Sequence, residues 1–416
     1  MIRILPLSES ADLLRNRGAR LEEAESTVRP IIEDVERRGD AALHEYARRF
    51  DNFTGTSFAA NARDLSQASE RVTPEFREAI LKASSNIRAF AQHQLPATHT
   101  SEIGPGITAG QIVIPLNTAV AYIPAGRYPL PSTLMMTTIP AHVAGVKQIC
   151  VTSPSAVDEI DATAHLLGIE RVFRLGGAHA IAAFAFGTDT IPRADRIVGP
   201  GSIYVAAAKR LLAGRVGIDF VAGPTEILII TDGGDPRHFA ADMLAQAEHD
   251  VESSAILLTT SRNLAEQVAA EVARQLATLP TRAVAEAAIN RNSAIILVER
   301  LEQAVEFSNR FAPEHLSIYD ESLVPSITCA GSIFIGPYSP EAAGDYASGP
   351  NHVLPTSGHA RFRGGLSTAD FVKVISVQRL TREGLGSLAS TVTTLARAEG
   401  LEAHARSVEC RLEEIT

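Results

Sequence analysis

The sequence predicts an α/β protein with two parallel sheets wrapped by helical crossovers, a helical N-terminal segment and a helical C-terminal tail. Three observations predict it. From residue 147 short runs that are apolar on both faces alternate with helical stretches of about ten or more residues, the pattern of parallel sheet. Residues 19–95 place apolar side chains at helical spacing. Pro/Gly clusters near 120 and 222 interrupt the alternation and mark domain seams. At about 150 residues per unit, the 416 residues make roughly three compact parts.

In chain order, LEEAESTVRPIIEDVERRGDAALHEYARRF reads as helix with breaks near Pro30 and Gly39, and VTPEFREAILKASSNIRAFAQHQ repeats the pattern. His44 and His93 lie in these stretches as surface or boundary residues. GQIVIPL and AVAYIPAG are short β-branched runs punctuated by Pro and Gly, hence strands and turns. The alternation then pairs VKQICVTS with DEIDATAHLLG, RVFRLGG with AHAIAAFAFG, and RIVGPGS with IYVAAAKRLLAG. EILIITD, SSAILLTTS and SAIILVE each precede a further helix. There are enough units for two sheets, without an exact internal repeat. A polar helical tail begins after TADFVKVISVQRL.

Composition narrows the function. Lys+Arg 38 against Asp+Glu 48 gives a net charge of −10, which repels phosphate backbones and anionic lipid. With 5% aromatics and no Trp there is little surface for base stacking, so no nucleic-acid partner is expected. Hydrophobic content of 45% against 21% charged excludes a disordered chain. No run approaches the ~20 apolar residues of a membrane span. The N-terminus turns polar early and shows no cleavage-site pattern, so no secretory signal is expected. Cys150, Cys329 and Cys410 are distant and odd in number, which fits reduced thiols in a cytoplasmic enzyme.

Several signatures are missing. The string Gly199-Pro-Gly-Ser202 holds two glycines of a dinucleotide turn and lacks the third. There is no Walker A string, no Gly-x-Ser-x-Gly elbow and no His-Glu-x-x-His. No cysteine sits in a reactive-looking string, so a thiohemiacetal route lacks a nucleophile.

Four strings could carry chemistry. Gln246 and His249, three apart late in a helix, share one face and can address one ion or ligand, or simply end the helix. Glu314 and His315 follow Pro313 at the start of an apolar run, where a core strand would bury them, and either can serve as a general base. Residues 336–355 form a Gly/Pro-rich loop with Asp345, Asn351 and His352, able to supply ligands or an acid–base pair. Glu399 and His404 in the tail are a solvated helix end unless they find partners. Two His, one Asp and one Gln would suit Zn²⁺, and ligation without thiolate suggests a site open to substrate.

Taken together, these strings resemble the histidinol dehydrogenase family across essentially the whole chain. The resemblance rests on residues 222–226 (AGPTE), 246–249 (QAEH), 313–316 (PEHL), 339–355 and 399–404, with residues 176–182 and 199–202 matching less closely. It implies a zinc-dependent enzyme that oxidises L-histidinol to L-histidine through the aldehyde with two NAD⁺. The implied metal ligands are Gln246, His249, Asp345 and His404, and the acid–base pair is Glu314 and His315. The implied substrate contacts are Thr225, His352 and Glu399, besides Gln246, His249, His315, Asp345 and His404. The implied NAD contacts are Tyr122, His179 and Ser202. The resemblance further implies a homodimer of two incomplete Rossmann-like domains whose C-terminal tails are exchanged to complete each other's sites.

On this basis residues 1–18 are an N-terminal extension. Residues 19–120 with 223–367 form the first Rossmann-like domain, on the substrate and metal side. Residues 121–222 form the second, on the NAD side, and 368–416 the exchanged tail. The family usually has Gln at 179, Asn at 202 and Ser at 225, where this chain has His179, Ser202 and Thr225. Arg127 is a further oddity and a possible contact for an anionic group. The alternatives are an NAD-dependent paralogue for another small polar alcohol such as a sulfonated diol, a zinc hydrolase using Glu314, and a non-catalytic binding protein.

Overall fold

The structure, a computed structural model, describes residues 2–14, 21–124, 128–221 and 223–413. Arg127 and Ala222 fall outside them. The chain opens with strand β1 (Arg3–Pro6) and four helices, α1 (Leu21–Arg38), α2 (Asp40–Phe50), α3 (Ala62–Arg71) and α4 (Pro74–His93). Pro30 does not break α1. It lies on the exposed face, where the carbonyl that loses its backbone donor meets water. The expected break at Gly39 is present, where a φ of +54° suits glycine.

Strands β2 (His99–Gly104) and β3 (Ile107–Pro115) precede the first α/β unit. That unit runs β4 (Thr118–Tyr122), α5 (Pro131–Ala144), β5 (Gln148–Thr152), α6 (Asp158–Leu166), β6 (Arg171–Phe173), α7 (Gly177–Phe186), β7 (Arg196–Val198), α8 (Ile203–Leu212) and β8 (Gly217–Ile218). The second runs β9 (Glu226–Ile230), α9 (Pro236–Ala247), β10 (Ser254–Thr259), α10 (Arg262–Leu276), α11 (Arg282–Asn292), β11 (Ala294–Leu297), α12 (Leu301–Phe311), β12 (His315–Ile318) and β13 (Ser332–Ile335). Helix α13 (Glu341–Tyr346), β14 (Val372–Leu380), α14 (Arg382–Ala398) and α15 (Glu402–Glu409) complete the chain.

The two parallel sheets have the orders β6-β5-β4-β7-β8 and β1-β11-β10-β9-β12-β13. Numbered within each unit, both contain the order 3-2-1-4-5 of a doubly wound fold. The expected α/β class with parallel sheets is therefore the observed one. Their strands are apolar on both faces because both faces are covered. In β9, Ile227 and Ile229 enter one core cluster, and Leu228 and Ile230 enter the cluster on the opposite face. In β4, Val120 and Tyr122 face one way and Ala119 and Ala121 the other. Each such Ile or Leu contributes about 1.5–3 kcal/mol relative to exposure.

Three features differ from expectation. The N-terminal extension is not separate, since β1 pairs in parallel with β11 at the sheet edge. Strands β14, β3 and β2 form an antiparallel sheet, which the parallel pattern did not announce. The helices of 21–93 pack on the smaller sheet, not with residues 223–367 as the sequence grouping had them. Val28, Leu43 and Ala47 share a core with Val120 and Ile197, and Ile80 and Ile87 share one with Ala119 and Val151. Amphipathic periodicity tells which helix face is buried, not which sheet covers it.

Candidate active site

A cleft of about 1250 Å³ lies between the two sheets. The smaller sheet meets it beyond the C-terminal ends of β4 and β7, through Pro124, Pro200, Gly201 and Ser202. This is the topological switch point, where neighbouring crossovers diverge and leave a crevice. The larger sheet presents the opposite edge, with Thr225 and Glu226 at the start of β9 and Glu314 and His315 at the start of β12.

Local backbone explains why Glu314 and His315 both reach the cleft. Helix α12 ends at Ala312 in a left-handed turn (φ +51°), and Pro313 follows before β12 begins. The strand then pairs with β9, His315 opposite Ile227. On the other side Gly331 approaches so closely that a Cβ there would stand 2.5 Å from the Glu314 carbonyl oxygen. Glu314 Oε2 accepts the Thr225 hydroxyl and, at 2.9 Å, the Glu226 N–H. Burial raises the Glu314 pKa above the usual carboxylate value, although His315 and these donors oppose it.

His315 Nδ1 faces the Glu226 carbonyl oxygen at 3.1 Å. A carbonyl only accepts, so Nδ1 carries the proton and Nε2 faces the cleft side. Nε2 stands 3.6 Å from Asp345 Oδ1, an ion-pair distance too long for a hydrogen bond, and it has no hydrogen-bond partner. Burial opposes the imidazolium, but the negative charge of Glu314, then of Asp345 and Glu341, outweighs it and pushes the pKa up to about 10. Asp345, on the second turn of α13, is raised by burial but lowered more by His315, and stays below its ordinary value.

His352 Nδ1 lies 2.7 Å from the Asp345 backbone oxygen, so it too donates. Its Nε2 stands 3.3 Å from the Thr133 hydroxyl, and burial depresses its pKa. Gln246 is buried and donates its amide N–H to Thr225 Oγ1. That bond leaves the amide oxygen as the free donor atom toward a cation. His249 lines the cleft.

The structure thus brings Thr225, His249, Glu314, His315, Asp345 and His352 to the cleft, with buried Gln246 bonded to Thr225 behind its lining. It does not bring Glu399 or His404 there, since both lie in the exposed tail and neither lines the cleft. Among the described residues no group of three His, Cys, Asp or Glu side chains is arranged to hold a metal ion. Of the expected NAD contacts, Ser202 lines the cleft. Tyr122 and His179 are buried behind it. The Tyr122 hydroxyl accepts the Gly177 N–H at 3.0 Å, and His179 Nε2 faces Asp51 Oδ2 at 2.9 Å. That same Asp51 oxygen accepts the Gly176 N–H, so the start of α7 is already satisfied from within.

One residue escaped the sequence reading. Glu341 is 2% exposed, its Oε2 has no hydrogen-bond partner, and it lies within electrostatic range of His315, Asp345, Asp242 and Glu314. Burial raises its pKa well above the usual value. A Glu following Ser-Pro at a helix start reads as a surface cap, so the sequence carried no signal against that view.

Comparison with known proteins agrees with this architecture. Residues 14–412 match the family model described as histidinol dehydrogenase. A histidinol dehydrogenase of Geobacter sulfurreducens is 47% identical over 401 residues, covering 94% of each chain. One of Methanosarcina barkeri is 45% identical, covering 96% of this chain and 94% of its own. The crystal structure of histidinol dehydrogenase from Elizabethkingia anophelis superposes with a TM-score of 0.95 at 38% identity, covering 99% of this chain and 98% of that one. None of these relatives supports the alternative of a dehydrogenase for another polar alcohol. The chain belongs to the histidinol dehydrogenase family.

Proposed function

We propose that the protein oxidises L-histidinol to L-histidine through the aldehyde, in two NAD⁺-dependent steps of histidine biosynthesis in the cytoplasm. The observation that carries this reading is the junction of Glu314 and His315 at the cleft, two neighbouring side chains in different hydrogen-bonding settings. His315 is held through Nδ1–H by the Glu226 carbonyl; a cation held by Asp345 would offset the negative charge that raises the His315 pKa, and the neutral ring would then take the alcohol's hydroxyl proton on Nε2. Glu314 has Oε2 committed to Thr225 and Glu226, leaving Oε1 to take a proton from the water that hydrates the aldehyde. The hydrate then gives up its one carbon-bound hydrogen as the second hydride of the sequence, and the oxygen of that water stays in the carboxylate. NAD⁺, when bound, supplies the two-electron acceptor for each oxidation. Ser202 is the contact on the cofactor side that the cleft itself offers.

A thiol route has no candidate. Cys150 is buried, its thiol pushed up to about 11 by burial. Neither Cys329 nor Cys410 lines the cleft. No helix among the described residues is long and apolar enough to cross a membrane.

The donor set fits Zn²⁺ in its chemistry, with amide oxygen, imidazole and carboxylate from Gln246, His249 and Asp345, and the partner subunit's His404 as fourth ligand. Such an ion would supply Lewis acidity, and the residues that would hold it would orient the substrate. Thr225 and His352, with the partner subunit's Glu399, complete the substrate pocket. Tail exchange in a homodimer is supported by the surface of the tail itself. Val374, Ile375, Leu395 and Leu401 stand exposed there, beside exposed Ile112 and Ile114 of β3. The test is stoichiometry: zinc-loaded protein yields two NADH per histidinol consumed, loses this with a chelator and regains it with Zn²⁺. Absence of NADH from zinc-loaded protein given histidinol and NAD⁺ would end the proposal.

A further inference from the structure

A buried ion pair lies behind the cofactor side of the cleft, outside every role assigned so far. Lys209 on α8 and Asp219 just after β8 are 2% and 4% exposed, and their charged groups are in contact. Gly199, the first residue beyond β7, sits between them. Its N–H donates to Asp219 Oδ2 at 2.7 Å, and its carbonyl oxygen accepts from Lys209 Nζ at 3.0 Å. Asp219 Oδ1 also accepts the Phe220 N–H at 2.7 Å. Gly199 holds a φ of +113°, and a Cβ there would stand 2.3 Å from the Tyr122 carbonyl oxygen, so the loop runs hard against the end of β4.

A buried ion pair adds little net stability, and an apolar pair of like volume would fill the core as well. An apolar pair could not satisfy the amide and carbonyl of Gly199, which lie past the end of the strand and are enclosed. Immediately downstream, Pro200, Gly201 and Ser202 line the cleft, and so does Phe220, the residue after Asp219. Both lining segments are therefore tied to one pair of charges.

We infer that Lys209 and Asp219 are positioning residues for the dinucleotide, their pair clamping both backbone groups of Gly199 so that the loop at 200–202 stands where it meets NAD⁺. This rests on the reading that the Ser202 loop is the cofactor's.

The experiment is K209M/D219L in zinc-loaded protein, which removes the pair without leaving a lone charge, with NAD⁺ affinity measured by titration calorimetry. The NAD⁺ dissociation constant and KM rise about tenfold or more, whereas kcat falls no more than about threefold and KM for histidinol moves less than about twofold. K209Q/D219N, which keeps a donor and an acceptor for Gly199, recovers affinity to within about threefold of the parent. Parent-like NAD⁺ binding in folded K209M/D219L overturns the inference. Should that variant not fold, Asp219→Asn decides: about threefold weaker binding supports the clamp, and unchanged binding overturns it. Ser202→Tyr separates the two levels, because it blocks the loop directly. If S202Y leaves NAD⁺ affinity unchanged, the cofactor reading falls and the inference with it. If S202Y weakens binding and K209M/D219L does not, the inference alone falls.

Discussion

The two sheets repeat one strand order and meet the cleft with opposite edges, and their charges are arranged as differently as their edges. In the smaller unit each of three buried acids has a cationic or imidazole partner: Asp219 with Lys209, Asp161 with Arg174, Asp51 with His179. In the larger unit Glu314, Glu341 and Asp345 gather around the imidazole of His315, and Asp242 lies within electrostatic range of Glu341. Burying carboxylates without matched cations is costly, and such clusters concentrate where a ligand or reaction uses them. The difference teaches that one copy of the fold has become a neutralised platform, which is the side the proposed function gives to the cofactor. The other keeps an excess of negative charge suited to a cation and an amino alcohol.

The largest effect should follow from striking that negative cluster at its centre. His315→Asn removes the base and lowers kcat for histidinol oxidation by about 10²–10⁴, while NAD⁺ binding, seated on the smaller sheet, stays within about threefold. Glu314→Gln keeps the shape and, through its amide oxygen, an acceptor for Thr225. It slows conversion of the aldehyde to the acid far more than the reverse step, reduction of the aldehyde to histidinol. Equal losses in the two directions would remove the water-activating role of Glu314. A large loss of NAD⁺ affinity in His315→Asn would dissolve the division of labour between the sheets.

How legible this was depends on how each residue departs from its surroundings. Strands such as β5, β9 and β10 are apolar on both faces and could be read directly. Strands β8 and β13 are short and half-buried, and β2 reads HTSEIG and is largely exposed, so no periodicity marks them. Glu314 and His315 stood out because two polar residues head an apolar strand. Lys209 did not, because a lysine late in IYVAAAKRLL reads as the solvent face of a helix. Its burial depends on Asp219, which comes ten residues later and after a turn. Asp51 was hidden likewise, its partner His179 lying 128 positions away.

On the proposed function the cofactor edge is assembled within one chain, whereas the substrate edge needs the partner subunit's Glu399 and His404, and mixing two defective proteins sharpens that contrast. With tail exchange, a heterodimer of His315→Asn and His404→Asn has one site with both defects and one with neither. Random pairing makes half the dimers mixed, so about a quarter of the parent activity returns. Verified heterodimers without activity would mean that each tail serves its own subunit.

The smallest effect tests the charge contrast through stability. Asp242, half-buried on α9, has its pKa raised to about 6 by burial, with His238 opposing. Below the ordinary aspartate value of about 3.9 the group is protonated in both folded and unfolded chains and costs nothing. Between there and about 6 the folded chain binds more protons than the unfolded one, so stability falls as pH rises through this window. Asp242→Asn removes that dependence. Its advantage over the parent should grow from near zero at pH 4 to roughly 1–2 kcal/mol at pH 7 and then level off, the partial exposure keeping it below the full linkage value. Thermal melts at several pH values would read this as a widening gap of a few degrees. Parallel curves would mean that Asp242 is solvated as well in the folded protein as out of it, and that the crowding of carboxylates stops at Glu341, leaving a negative cluster of three carboxylates around His315.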